Sequence, residues 1–294
     1  MQIREILKRT RPAISFEIFP PKPETPVDTI FTTIAGLKKI HPDFISVTYG
    51  AGGSSKERTS EIASAVQNRW GLTSLAHLTC IGAVPSEIEM VMETLEQEGV
   101  TNILALRGDP RPEGGSAESP FIYASDLIRY IRKGHFKDFS IGAAAYPEGH
   151  PECASLEENI LHLAEKEDAG ADFFITQLFF DNEIFFRFME KIRAAGIGIP
   201  VLAGIMPVLN ARQIGRIVSL CGASIPPRFA RIMSRYEHSP SALAQAGIAY
   251  ASEQIIDLLS WGAEGIHLYT MNRPDVAGRI MDNLSAVRET LIET

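Results

Sequence analysis

Eight short, almost unbroken apolar runs, each followed by a segment with helical periodicity, constrain this chain more than any other feature. They are Ala13 to Phe19, Phe44 to Tyr49, Ser74 to Cys80, Asn102 to Leu106, Ile141 to Tyr146, Phe173 to Phe180, Pro200 to Pro207 and Gly265 to Met271. Runs this uniformly apolar read as strands buried on both faces, which is the signature of a parallel sheet covered by helices. Between them, Ile30, Ile34, Leu37 and Ile40 recur at helical spacing, as do Ile88, Val91, Met92 and Leu95. Eight such units favour closure into a (β/α)8 TIM barrel over an open Rossmann sheet. No GxGxxG follows the first strand, which weakens the dinucleotide-fold reading further.

The strand ends carry the chemistry. Glu17 sits in the first run, which leads into Pro20-Pro21-Lys22; the second ends at Thr48-Tyr49-Gly50, the fourth at Arg107-Gly108-Asp109, the fifth at Pro147-Glu148. A parallel barrel gathers all of these on its C-terminal face, where the active sites of this architecture lie. The 294 residues suffice for one large barrel or two smaller domains. No linker divides them, so residues 1–294 are expected to form a single barrel domain. The Gly/Ser/Pro-rich stretch from Asp109 to Pro120 reads as a long βα loop on the functional face.

A net charge of −8 argues against broad nucleic-acid binding but leaves room for a local phosphate pocket. Cys80, Cys153 and Cys221, an odd count without a CxxC pair, fit a reducing compartment. No apolar run is long enough to span a bilayer, and the N-terminus lacks a signal-peptide core. A cytoplasmic protein is expected, with no membrane association.

Glu17, flanked by Phe16, Ile18 and Phe19, has two readings. A carboxyl among apolar groups tends to keep its proton and serve as a general acid; a strand carboxylate paired with lysine or arginine is the rival. Arg107-Gly108-Asp109 reads either as a cofactor edge, where glycine lets backbone approach a ligand, or as an Arg–Asp turn pair. Tyr146-Pro147-Glu148-Gly149-His150-Pro151-Glu152 can stack on or hydrogen-bond to a planar cofactor. A metal site there is the weaker alternative, since no HxH or HxxxH appears, and no metal is expected. The loop from Val47 to Ser55 could hold an anion on its amides but lacks the P-loop lysine. Gln177 offers paired donor and acceptor to a heterocycle or is a satisfied barrel glutamine. His77, inside a strand, reads first as a hydrogen-bonded core histidine. Phe179, Phe180, Phe185, Phe186 and Phe188 read as packing.

In order along nearly the whole chain, nine segments resemble the flavin-dependent methylenetetrahydrofolate reductase family. They are Phe16-Glu17-Ile18-Phe19-Pro20-Pro21-Lys22, Ser46 to Gly53, His77-Leu78-Thr79-Cys80, Leu106 to Asp109, Tyr123 to Asp126, Tyr146 to Glu152, Thr176 to Asp181, Gly204 to Val208 and Tyr269 to Arg273. The resemblance implies FAD, with FMN the lesser option, at the C-terminal face of the barrel. It implies reduction of 5,10-methylenetetrahydrofolate to 5-methyltetrahydrofolate by a reduced nicotinamide that uses the same place in turn. By the same carry-over Glu17 is the general acid and Asp109 tunes the flavin. Gln177 would hold the pterin, and Tyr269 and Arg273 are candidates for the folate tail. Thr48, His77, Arg107, Gly108, Asp109, Tyr123, Ala124, Tyr146, His150, Asn159 and Lys166 would contact FAD.

Three positions depart from patterns in some members. Asn159 replaces an acid and Glu165 a base near the adenosine half of FAD, and Ile217 replaces an aromatic over the active site. No regulatory domain is expected after the barrel, and the family leads to the expectation of a homo-oligomer. The alternative function is a flavin- or folate-binding barrel subunit that takes electrons from a partner protein. A colourless folate-binding methyltransferase barrel is a third.

Overall fold

Every second residue of each strand points to the same side, and in this chain both sides are buried. That is the burial a closed sheet provides. In the computed structural model, which describes residues 1–9, 12–22, 24–49, 56–108, 119–210, 213–215, 217 and 221–292, eight parallel strands close on themselves. They are β1 (Ala13–Ile18), β2 (Phe44–Val47), β3 (Ser74–Thr79), β4 (Asn102–Leu106), β5 (Ser140–Ala145), β6 (Phe173–Thr176), β7 (Val201–Ile205) and β8 (Gly265–Tyr269). The order is sequential, and β1 pairs with β8 in the register Ala13↔Gly265, Ser15↔His267 and Glu17↔Tyr269. The (β/α)8 expectation is met.

Around the barrel stand α1 (Ile3–Arg9), α2 (Asp28–Lys38), α3 (Lys56–Ser64), α4 (Pro85–Gln97), α5 (Ala124–Lys133), α6 (Leu156–Asp168) and α7 (Asn182–Ala194). They are followed by α8 (Pro227–Tyr236), α9 (Pro240–Trp261), α10 (Pro274–Asn283) and α11 (Ser285–Ile292). Local chemistry sets several ends. The Ser155 hydroxyl accepts from Glu158 N at 3.1 Å to start α6, and the Asp181 carboxylate accepts from Glu183 N at 3.1 Å to start α7. Gly262, at φ 99°, stops α9 in the left-handed conformation that glycine adopts freely.

Two differences from the sequence reading have clear causes. The last helical stretch breaks at Leu284, which is wholly buried, and so divides into α10 and α11. The stretch from Glu61 to Trp70 is the end of α3 followed by a π-turn over Ala65–Arg69. The N-terminal α1, too short to show periodicity, plugs the bottom of the barrel. Its Ile3, Ile6 and Leu7 pack against Ala13, Phe44, Leu75, Leu104, Phe173 and Leu202 from the strand interiors. Buried Asn102 fixes the plug: its Oδ1 accepts from Ile3 N at 2.8 Å and its Nδ2 donates to Ser74 O at 3.0 Å.

The interior therefore has an apolar lower half. Higher up, the inward positions turn polar: Ser15, Glu17, Ser46, His77 and His267. Interior packing depends on glycine at places where a large neighbour needs the room. A Cβ on Gly142 would stand 2.6 Å from the Phe173 ring. Gly142→Ala is expected to lose about 1–3 kcal/mol in denaturant unfolding, the usual cost of overpacking, and Phe173→Leu in the same chain to restore part of it. Unchanged stability in the single variant would contradict this packing.

Candidate active site

The register that pairs β1 with β2 and β8 sets Glu17 beside Ser46 on one side and Tyr269 on the other. One strand further, β3 contributes His77. The Glu17 carboxylate Oε2 lies 3.6 Å from His77 Nε2 and 3.6 Å from His267 Nε2. Each imidazole is tied to a serine of a neighbouring strand. His77 Nε2 is 3.0 Å from Ser46 Oγ, and His267 Nδ1 is 2.7 Å from Ser15 Oγ. Burial holds His77 neutral, lowering its pKa to about 4 against the smaller opposing pull of Glu17. Among the described residues no lysine or arginine comes within ion-pair distance of Glu17. The strand ion pair with a basic side chain is thus not what forms; Glu17 faces imidazoles instead.

The β6–β8 wall is built around Tyr269. Its hydroxyl donates to Thr176 O at 2.7 Å, and burial raises its pKa well above the ordinary value, so the phenol stays neutral. A Cβ on Gly204 would meet that hydroxyl at 2.9 Å, so Gly204 supplies the space Tyr269 crosses. Gln177 follows β6; its backbone N donates to Ala145 O at 2.7 Å, and its Oε1 accepts from Leu178 N at 2.9 Å. The donor half of its side-chain amide is what remains for a ligand.

The β4–β5 side is cationic. Arg107, just beyond β4, forms a bidentate pair with Glu152, one arm at 2.7 Å, and its guanidinium holds the Glu152 carboxyl below the usual range. Gly108 has φ 85°, and a Cβ there would lie 3.1 Å from Thr79 Cβ and 3.2 Å from Ile81 Cγ2, so only glycine fits. Tyr146, after β5, meets His150 edge-to-face with ring centroids 4.7 Å apart. His150 Nδ1 accepts from Glu152 N at 3.1 Å, and desolvation lowers the pKa of this ring, which leaves it neutral. Buried Asn159 donates to Tyr146 O at 3.1 Å, so this side chain holds the strand end as well as lying near it. Half-buried Lys166 donates to Ala144 O at 2.8 Å, and desolvation lowers its pKa to about 8.

Other expected site residues lie further out. Tyr123, 48% exposed, stacks on His162 at 5.5 Å just ahead of Ala124, the first residue of α5. Glu165 is within 3.2 Å of His162 Nδ1. Thr48 donates its backbone N to Ile18 O and accepts from the Thr59 hydroxyl. Arg273 is held by Asp275 through two bonds of 2.9 and 2.8 Å at the start of α10, exposed to solvent. Asp109 and residues 50–55 lie outside the described residues. Ile217 is buried in a cluster with Phe180, Val208 and Phe229. Sequence reasoning did not single out His267, Ser15 or Ser46. A signal was present: in β1 and β8 the alternate positions 13, 15, 17 and 265, 267, 269 are small or polar while their neighbours are large and apolar.

The neutral His77 has a consequence for stability. Its proton is bound in the unfolded chain below the ordinary histidine pKa and refused in the folded one until about 4. Stability is then expected to fall by about 3 kcal/mol as pH drops through this window. His77→Gln should flatten that slope in urea unfolding followed between about pH 6.5 and 4; an unaltered slope would contradict a neutral His77.

Among the described residues no group of three histidine, cysteine, aspartate or glutamate side chains gathers for a metal, and no helix is long and apolar enough to cross a membrane. The three cysteines are free. The family model described as methylenetetrahydrofolate reductase matches residues 2–285. The chain is 36% identical to methylenetetrahydrofolate reductase (NADH) 1 of Arabidopsis thaliana over 99% of its own length and 51% of the relative's. It therefore spans about half the length of that plant relative. It is also 36% identical to 5,10-methylenetetrahydrofolate reductase of Escherichia coli, covering 92% of this chain and 90% of that one. In fold it is similar to a Clostridium thermocellum protein solved with two copies of 5-methyl-5,6,7,8-tetrahydrofolic acid, at a TM-score of 0.64 and 16% identity, over 99% of this chain and 100% of that one. With the barrel, the ordered strand-end motifs and the match over residues 2–285 all agreeing, the chain belongs to the methylenetetrahydrofolate reductase family.

Proposed function

We propose that the protein reduces 5,10-methylenetetrahydrofolate to 5-methyltetrahydrofolate at the C-terminal mouth of the barrel, with FAD as cofactor and a reduced nicotinamide as electron source. The observation that carries this reading is Glu17: a carboxyl at the floor of the mouth, between two imidazoles and without a cationic partner among the described residues. Opening the five-membered ring of the substrate needs a proton on the ring nitrogen that leaves. Glu17 supplies it, the carbon–nitrogen bond breaks, and the electron pair stays on that nitrogen while the iminium forms.

The donor set on the β4–β5 side fits FAD. The Lys166 ammonium has no carboxylate within ion-pair distance among the described residues, Arg107 lies close by, and Gly108 presents backbone where a side chain would intrude. These groups would hold the phosphates, with Tyr123, Ala124, Tyr146, His150 and Asn159 along the remainder, His77 and Thr48 deeper in the mouth and Asp109 as the expected tuner of the ring. Bound there, FAD would supply the hydride chemistry, and the protein positions it. Gln177 and Tyr269 would orient the pterin, and Arg273, released from Asp275, suits the carboxylates of the folate tail.

A second reading changes the electron donor. Ile217 offers no aromatic surface and is buried against Phe180 and Phe229, so a partner protein in place of nicotinamide is the alternative. Steady oxidation of NADH or NADPH by the isolated chain would rule that alternative out.

Glu17→Gln is expected to lower the rate of methyltetrahydrofolate formation by roughly 10²–10⁴-fold, the usual worth of a general acid, while leaving reduction by nicotinamide in place. Full folate reduction in that variant would contradict the acid role. Lys166 is lowered to about 8, and its charged form favours an anion. FAD affinity, measured by titrating the apoprotein, should therefore weaken as pH rises through that value. In Lys166→Met it should be weaker at neutral pH and flat with pH.

A further inference from the structure

β8 stops at Tyr269, but the residues that follow still reach the main chain at the end of β1. Thr270 donates its hydroxyl to Glu17 O at 2.7 Å. Asn272 meets Phe19 at two points: its Oδ1 accepts from Phe19 N at 3.1 Å, and its Nδ2 donates to Phe19 O at 2.9 Å. A primary amide carries one acceptor and two donors side by side, so this side chain stands in for one more rung between the two strands. The main chain that presents it is strained. Met271 has φ 52° and Asn272 φ 55°, two of the three non-glycine residues with positive φ among the described residues. Side-chain-bearing residues visit the left-handed region singly, and two in succession persist only where their surroundings fix them. On its other flank the end of β1 is held by Thr48 N, which donates to Ile18 O at 2.9 Å. Further on, Arg58 of α3 donates to Pro21 O at 3.1 Å and Lys22 O at 2.7 Å. The main chain around and beyond Glu17 is thus tied down from three directions.

We propose that Asn272 is a positioning residue: its amide locks the main chain just past Glu17 to the loop that runs from Tyr269 to Arg273, so that the acid and the folate-facing side chains keep one spacing. A displacement of about 1 Å at a reacting group can cost a hundredfold in rate, which is the reason to hold such a joint at the expense of backbone strain. The chemistry selects the residue. Aspartate would accept from Phe19 N but has no proton to donate to Phe19 O, and glycine would take the left-handed backbone freely but bring no amide. Asn272 touches neither the substrate nor the transferred proton in this role; it acts through Glu17. The role rests on the reading of Glu17 as the acid of the folate reaction.

Asn272→Gly separates fold from function, because glycine relieves the strain while removing the clamp. In the protein as purified, hydrogen exchange at the Phe19 amide should quicken by about tenfold in this variant, the worth of one lost hydrogen bond, with the midpoint of urea unfolding close to that of the wild type. In the holoenzyme, the rate of folate reduction should fall by about 10- to 100-fold while reduction of the bound flavin by nicotinamide keeps its rate. Asn272→Asp retains the acceptor for Phe19 N and should fall between the wild type and Asn272→Gly; it decides the matter if Asn272→Gly fails to fold. Unchanged exchange at Phe19 overturns the clamp. An equal loss in both half-reactions, as a merely structural role would give, or a loss in neither, overturns the positioning role. If the wild type does not reduce folate at all, the proposed function fails, and the exchange measurement still decides whether Asn272 holds the end of β1.

Discussion

The structure depends on putting a carboxyl and two imidazoles inside a closed barrel with, among the described residues, no lysine or arginine within ion-pair distance of the carboxyl. A carboxyl so placed is left for a ligand to meet rather than a side-chain cation. The barrel makes that arrangement stable by dividing its interior. Phe44, Leu75, Leu104, Phe173 and Leu202, sealed from below by Ile3, Ile6 and Leu7, carry the packing in the lower half. The upper half is then free to hold Ser15, Glu17, Ser46, His77 and His267 in chemical rather than packing roles. Polarity is concentrated toward the mouth, above the apolar core.

The two sides of the mouth divide the labour by charge. On the β4–β5 side, Arg107, paired with Glu152, and Lys166, bonded to Ala144 O, bring two cations together, a placement that suits the phosphates of the proposed cofactor. On the β6–β8 side, the hydroxyl of Tyr269 and the amide of Gln177 are neutral, suited to the planar edge of a heterocycle. Glu17 sits between them. In the function proposed, substrate and cofactor would be read by different physics, hydrogen-bonding for one and ionic for the other, and meet over Glu17.

Much of this was legible because a parallel barrel writes its strands as nearly continuous apolar runs. Asn102–Leu106 has the same bounds in sequence and structure, and Phe179, stacked on Phe185, and Phe180, stacked on Phe229, are packing residues as their surroundings suggest. Thr48, Arg107, Tyr146 and Gln177 directly follow β2, β4, β5 and β6, as their places at the ends of the apolar runs suggest, and Arg273 is engaged by Asp275. What was not legible is what needs long-range partners. His267 looks like a core residue of an apolar strand until β1 lies beside β8 and brings Ser15, some 252 residues away in the chain, to its Nδ1. The plug formed by α1 was missed for the same reason: seven residues show too little periodicity, and their apolar face has meaning only under a closed barrel.

In the proposed function this barrel passes a hydride to methylenetetrahydrofolate. The most direct test is the visible spectrum of the purified protein, reduced anaerobically with dithionite and then mixed with methylenetetrahydrofolate. Prompt return of the oxidised flavin bands with methyltetrahydrofolate as product is the predicted result, whatever the natural electron donor. A bound flavin that stays reduced, or a purified protein with no flavin band and no affinity for added FAD, would contradict the account.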